Sequence, residues 1–272
     1  MKLSTELLFE KLQTEFTITA YGNLSSADGF LRPFLYDSKP LIDSRPIYEP
    51  LDKSKGITPG HVCLAHGKRL EEFIPHIFEE HFLVLTGTRG DVQKLSSAVF
   101  PYVVLSENTS LSSVLNFLQD IFDFYDDWSN ELNTFLLKND DITLLLHNAL
   151  KIFQNPLSVI SVDFSLIAET GEEKIPEKSR IFSDKEPNID YINALTQDET
   201  YQSFCNSPTP FFFPGYITGI STLTMNIFQN GVPTHRLILY EAQKPITRGE
   251  YCLLSHLAGY VEYLLYHQDI PI

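Results

Sequence analysis

The apolar positions of Thr109–Lys138 recur alternately four and three residues apart, at Val114, Leu118, Ile121, Tyr125, Trp128, Leu132 and Phe135. This spacing predicts one helix of about thirty residues carrying a heptad seam over about three repeats. The opposite face carries Asp120, Asp123, Asp126, Asp127 and Glu131, which belong in water. Two readings follow. In one, the helix joins two globular halves and pairs with its copy in a second chain. Val114, Leu118, Ile121, Tyr125, Trp128 and Leu132 are then dimerisation residues. In the other it is a long core helix against which both halves pack.

Before this helix, His61–His66, Phe82–Thr86 and Tyr102–Ser106 are short apolar runs bounded by turn residues. Helical stretches are expected between them, at Lys68–Glu80 and Asp91–Phe100. Strands alternating with helices at this spacing predict βαβ units and a small parallel sheet, so residues 1–108 read as an α/β domain. Met1–Glu10 has the pattern of an amphipathic helix. Phe16–Pro59 is broken by Pro33, Pro40, Pro46, Pro50 and Pro59 into short strands or loops.

After it the rhythm changes. Thr109 is the expected N-cap of the connecting helix, residues 109–138, and Asp141 that of the next, Ile142–Phe153. Within residues 139–272, Leu157–Asp163 and Phe164–Glu169 read as strands, Thr170–Pro187 as a charged mobile loop and Asn188–Asn206 as helix. Phe211–Phe213 begins an apolar strand. Ile217–Gln229 and Val232–Ala242 flank Asn230-Gly231, the strongest short hairpin signal. A closing helix, Thr247–His267, has its own seam at Leu253, Leu257, Tyr260 and Leu264. A helix, an antiparallel sheet and a closing helix resemble the layout of a GAF- or PAS-type sensor domain. The fold class is therefore mixed α/β and α+β.

Composition narrows the function. The length of 272 residues suggests about two domains. A net charge of −15, with no basic stripe, argues against binding nucleic acid directly, since such binding needs Lys and Arg to replace counterions. The three cysteines, Cys63, Cys205 and Cys252, show no zinc spacing and read as reduced thiols of a cytoplasmic protein. No signal peptide and no membrane span is expected.

Motifs for catalysis are missing: no P-loop, GxGxxG, GxSxG or HExxH occurs. In His76-Ile77-Phe78-Glu79-Glu80-His81 the histidines are five apart, which turns them about 140° from each other on a helix and argues against a shared metal. His61 and His66 fall on opposite faces of a strand, and His61 with Cys63 supplies only two ligands. Thr86-Gly87-Thr88-Arg89-Gly90 opens a helix after a strand and offers a weak anion cradle. No metal, cofactor or enzymatic activity is expected. In the second half, Tyr191, Phe204, Phe211, Phe212, Phe213 and Tyr216 crowd the sheet. Ser221, Thr222, Thr224 and Asn226 run along one strand and Arg236 lies in its partner. An apolar pocket with a few orienting polar groups fits this pattern, and so does an ordinary aromatic core. The candidate ligand-binding residues are Tyr191, Phe204, Phe213, Tyr216, Ser221, Thr222 and Arg236.

Two stretches carry a family resemblance. Ile121-Phe122-Asp123-Phe124-Tyr125-Asp126-Asp127-Trp128 resembles a connecting helix of the form IFDxYDxW. The run from Phe153 to Phe164, with Asn155-Pro156-Leu157 near its start, resembles the FxNPLxVxDxxF segment that follows it. Pro245-Ile246-Thr247 resembles the lead into the closing helix. Together they resemble the N-terminal sensory region of PucR-type bacterial transcription regulators, a group that includes CdaR-like sugar-diacid regulators. The resemblance spans Leu111–His267 and extends more loosely to the first hundred residues. It implies ligand-responsive control of transcription in the cytoplasm, with a small-molecule effector and a homodimer as partners. Contact with DNA would run through a helix-turn-helix domain that this chain, ending at Ile272, is expected to lack. The rival expectation is a stand-alone interaction or scaffold module without a ligand.

Overall fold

A computed structural model describes residues 1–22, 29–35, 60–70, 82–88, 90–95, 100–138, 141–183 and 186–267. The chain is mixed α/β and α+β, with a parallel-dominated sheet, a long helix and a separate antiparallel sheet in chain order. It divides into two compact units, Met1–Trp128 and Ser129–Ile272. The division falls inside the long helix, so the helix is shared between the units and is not a free-standing segment.

The first unit opens with α1 (Thr5–Glu15), capped by Ser4, whose hydroxyl accepts the Leu7 N–H at 3.2 Å. Its sheet has the order β1-β5-β4-β3-β2, formed by Ile18–Tyr21, Tyr102–Leu105, Phe82–Thr86, His61–His66 and Leu31–Leu35. β2, β3, β4 and β5 are parallel, and β1 closes the edge antiparallel to β5. Continuous burial along β4 is what a strand covered on both faces requires, and it explains the unbroken Phe82-Leu83-Val84-Leu85 run. Cys63 is fully buried in β3, and burial pushes its thiol up to about 12. Most of the expected helix Lys68–Glu80, including the His76–His81 motif, lies outside the described residues. So do Arg89, the centre of Asp91–Phe100 and most of Phe16–Pro59.

The long helix, α2, runs over Leu111–Lys138. Its start is held by Ser110 and not by Thr109: the Ser110 hydroxyl accepts the Ser113 N–H at 3.4 Å, and its carbonyl accepts Val114 at 3.1 Å. The serine one residue closer to the first apolar position takes the cap. Asp141 caps α3 (Ile142–Phe153), accepting the Thr143 N–H at 3.0 Å. No helix among the described residues is long and apolar enough to cross a membrane.

The second unit is built on an antiparallel sheet of order β10-β11-β12-β6-β7. The strands are Phe211–Phe213, Thr222–Gln229, Val232–Tyr240, Leu157–Ser161 and Leu166–Thr170. Asn230 and Gly231, at φ +52° and +79°, make the tight turn between β11 and β12, since both central positions need positive φ. One sheet face buries Val159, Leu223, Ile227, Leu237 and Leu239 beneath α3 and α6 (Glu250–His267), and these two helices pack on each other. The segment Thr170–Pro187, expected as a mobile loop, is structured instead. It forms two short 3-10 turns and a small hairpin of β8 (Phe182–Ser183) and β9 (Glu186–Pro187). The apolar Ile175, Ile181 and Phe182, interspersed among its charges, anchor it in the core. The helical stretch Asn188–Asn206 is two helices, α4 (Ile189–Gln197) and α5 (Glu199–Phe204). Asp198 ends the first and caps the second, accepting the Tyr201 N–H at 2.7 Å.

Asn155 ties this unit together. It is fully buried; its amide donates to the Lys244 carbonyl at 2.9 Å and accepts the N–H groups of Gln243 and Lys244 at 2.8 and 3.2 Å. The side chain thus fixes the start of β6 against the segment leading into α6. Asn155→Ala removes three side-chain hydrogen bonds to the Gln243–Lys244 backbone, and it should cost about 1–3 kcal/mol. Urea unfolding followed by circular dichroism checks this through a lower midpoint at unchanged slope. Separately, Cys63 should resist iodoacetamide at pH 8 in the native protein and react once urea is added. Mass spectrometry of its peptide reads both states.

Candidate functional site

The two faces of the second sheet differ sharply. Opposite α3 and α6, the alternate residues of the same strands are Ser158, Ile160, Thr222, Thr224, Asn226, Arg236, Ile238 and Tyr240. All are buried, and most are polar. They are covered by α4, α5 and the loops around them, through Phe164, Ile175, Ile181, Phe182, Leu195, Tyr201 and Ile220. A purely structural sheet face would put aliphatic residues at these positions.

At the centre of the face lies Arg236, 5% exposed. It interrupts β12 between the apolar run Leu237-Ile238-Leu239 and the more exposed start of the strand. Its guanidinium carbon stands 5.4 Å from the Phe164 ring and 5.5 Å from the Tyr201 ring, over both. Nη2 donates to the Cys205 sulfur at 3.7 Å. Nε and Nη1 have no acceptor among the described residues. Burial raises the Tyr201 phenol, with the Arg236 charge pulling the other way, so Tyr201 stays protonated and supplies no counter-charge. A charge removed from water costs several kcal/mol unless it is paired. Two ring faces and one sulfur offset part of this, at about 0.5–2 kcal/mol per ring.

Asn226 is the direct cross-strand partner of Arg236. Its amide nitrogen donates to the carbonyls of Phe204 and Ser207 at 2.8 and 3.0 Å. Those two bonds fix which end of the amide is nitrogen. Its oxygen is buried with no donor, although Arg236 stands opposite in register. The site therefore holds unsatisfied donors and an unsatisfied acceptor side by side. Native interiors rarely leave such groups orphaned without a reason.

A cleft of about 260 Å³ opens on the same face, lined by Ser158, Glu169, Arg180, Ile181, Phe182 and Tyr240 among others. Tyr240 donates to or accepts from the Ser158 hydroxyl at 2.9 Å, and burial pushes its phenol up. Tyr240 lies four positions along β12 from Arg236, about 13 Å away, and Ser158 lies opposite Ile238 between them.

The seven candidate ligand residues are not all in one place. Arg236, Thr222 and Phe213 lie on the buried face, and Phe204 stacks on Phe211 at 5.0 Å beside it. Ser221 precedes β11 and has the opposite parity, so it faces away from the guanidinium. Tyr216 is 59% exposed; its hydroxyl donates to Asp198 at 2.7 Å, which holds that carboxyl below its usual range. Tyr191 is half-buried and donates to the Lys178 carbonyl, pinning α4 to the preceding turn. Tyr201, Phe164 and Cys205, which hold the guanidinium, were not among the candidates. They come from distant segments, and no local pattern joins them to Arg236. Among the described residues, no three His, Cys, Asp or Glu side chains could share a metal ion.

The seam of α2 is also placed differently from the dimer expectation. Val114, Leu118, Ile121, Tyr125, Trp128 and Leu132 are all buried within one copy of the chain. In the first unit α1 packs along α2: Phe16 meets Phe117 edge-on at 5.4 Å, and Lys11 lies 5.9 Å from the Tyr125 ring. Asp126 binds the chain's own N-terminus and Arg32. In the second unit Ser129 meets Tyr260 and His256, at 3.1 and 3.0 Å. The heptad spacing thus coincides with a stripe that is buried within one copy of the chain.

No protein-family model matches this chain, and no curated protein matches it.

If the seam is internal, Leu118→Asp buries an uncompensated charge inside the first unit and should lower Tm steeply. Wild-type Tm should not depend on protein concentration. A seam between copies would instead make Tm rise with concentration and leave a folded Leu118→Asp monomer, which differential scanning calorimetry over a dilution series distinguishes.

Proposed function

We propose that the chain is a small-molecule sensing region of the PucR type, with the effector bound on the polar face of the second sheet. The observation that carries this is the Arg236–Asn226 pair: buried, adjacent, and jointly short of partners that a ligand would supply. The layout supports it as well, since the sheet is framed by a helix before it and a helix after it that pack together, as in GAF- or PAS-type sensors. The two stretches Ile121–Trp128 and Phe153–Phe164 supply the sequence resemblance.

The mechanism would be a population shift. An effector that binds one packing of the sheet better than another biases α3 and α6 on its far side through the shared strands β6, β11 and β12. DNA contact would belong to a further domain of the regulator, in keeping with the −15 charge here. Pairing of two copies rests on the resemblance alone, because the α2 seam is already covered within one chain.

Thermal unfolding against a panel of cytoplasmic metabolites tests the reading. A true effector at about 100 times its Kd adds about 2.7 kcal/mol to the native state, which raises Tm by several degrees. A panel spanning acids, bases, sugars and aromatics that leaves Tm unmoved throughout would give the ground to the scaffold reading.

A further inference from the structure

We infer that the Arg236 site takes a small organic carboxylate with an apolar body and a hydrogen-bond donor beside its acid group. This rests on the sensing proposal and adds the chemical class of its ligand.

Three features of the site select that class. First, charge: the cationic guanidinium is buried and faces no carboxylate ion-pair partner among the described residues. A neutral ligand would leave the charge uncompensated; an anion completes it. Second, donor geometry: Nη2 uses one hydrogen on the Cys205 sulfur, so one edge of the fork still presents two N–H groups. A planar edge of two parallel donors matches the two oxygens of a carboxylate. Third, the neighbouring acceptor: the Asn226 oxygen cannot bind an anion and needs a donor. A hydroxyl or N–H adjacent to the carboxylate satisfies both residues at once.

The surroundings define the rest of the molecule. Phe164 and Tyr201 lie against the guanidinium, and Ile160 and Ile238 flank Arg236 on the same sheet face. Such surroundings reject inorganic anions, whose remaining oxygens would be stripped of water without replacement, and favour a hydrocarbon or aromatic body.

The test uses the whole 272-residue chain and the variant Arg236→Met. Methionine keeps an unbranched chain between the rings and removes the charge. The probes are 2-hydroxybenzoate, its neutral counterpart 2-hydroxybenzamide, and inorganic phosphate, each followed by Tm. The expected result is that 2-hydroxybenzoate raises wild-type Tm by several degrees in a saturable manner, while the amide and phosphate do not. Without ligand, Arg236→Met should unfold at or above the wild-type temperature, and it should lose the response to 2-hydroxybenzoate. Equal stabilisation by acid and amide would overturn the carboxylate class and leave the sensing proposal standing. A variant that unfolds well below wild type, with no response of wild type to 2-hydroxybenzoate, would make Arg236 a structural cation and overturn both. Phosphate acting as strongly as the organic acid would also overturn the inference.

Discussion

A cation held between two aromatic rings, with no anion among the described residues to neutralise it, is the constraint on which the second unit depends. Arg236 could be tolerated there only because the strand places it opposite Asn226, Tyr201 and Phe164 close around its carbon, and Cys205 caps one nitrogen. Each of these compensations is partial. An interior that needed only stability would put a leucine at this position, as β12 does one residue later at Leu237. In the proposed function, the partner of this buried charge is the effector. The same reasoning covers the Asn226 oxygen, whose amide orientation is dictated by two backbone carbonyls and leaves the buried acceptor without a donor among the described residues.

The rest of the unit isolates this strain from the fold. The far face of the sheet is mostly apolar, packed beneath α3 and α6, and the Asn155 side chain stitches the β6 start to the segment before α6. Stability is therefore concentrated on one face and chemistry on the other. The strands are common to both. In the sensing proposal, β11 and β12 are the route by which a change at the guanidinium would reach α6, because their opposite face, with Leu223, Ile227, Leu237 and Leu239, packs beneath that helix. This gives the sensing proposal a physical route without requiring a large rearrangement, since packed helices on a sheet have few alternative seats.

Much of the architecture could be read from local signals. β3, β4 and β10 fall on the residues expected, Asn230-Gly231 makes its turn, and Asp141 caps α3, because strand alternation, turn chemistry and capping act within a few residues. What local signals do not carry is information about partners. The periodicity of Val114 to Leu132 identified a buried stripe correctly, but a stripe does not say what covers it. Here α1 covers its first part, and Ser129 with Tyr260 and His256 marks the packing of its second. Thr170–Pro187 failed in the opposite sense. Its charge density suggested a loop in water, yet three apolar residues, Ile175, Ile181 and Phe182, were enough to anchor it.

The site shows the same division between local and distant information. Arg236 is legible as an anomaly, a charged residue entering an apolar strand, and Asn226 and Thr224 as polar interruptions of another. The Asn230-Gly231 turn by itself would set Asn226 opposite His235; a bulge between Ile227 and Phe228 shifts the register by one and sets it opposite Arg236, so only the identity of the polar residues, and not their pairing, was within reach of sequence reasoning. The aromatic half was not. Tyr201 sits on a six-residue helix and Phe164 in a turn at positive φ, and neither position carries a pattern that would aim it at the guanidinium. Tyr216 had the opposite fate. It follows β10 into a turn where Gly215 packs so closely on Ile220 that a Cβ would fall 2.5 Å from its carbonyl carbon, and the ring is left outside. A ligand that reaches Arg236 must therefore be recognised by residues from four separate segments, which is why occupancy of the site can stabilise the whole unit rather than one loop.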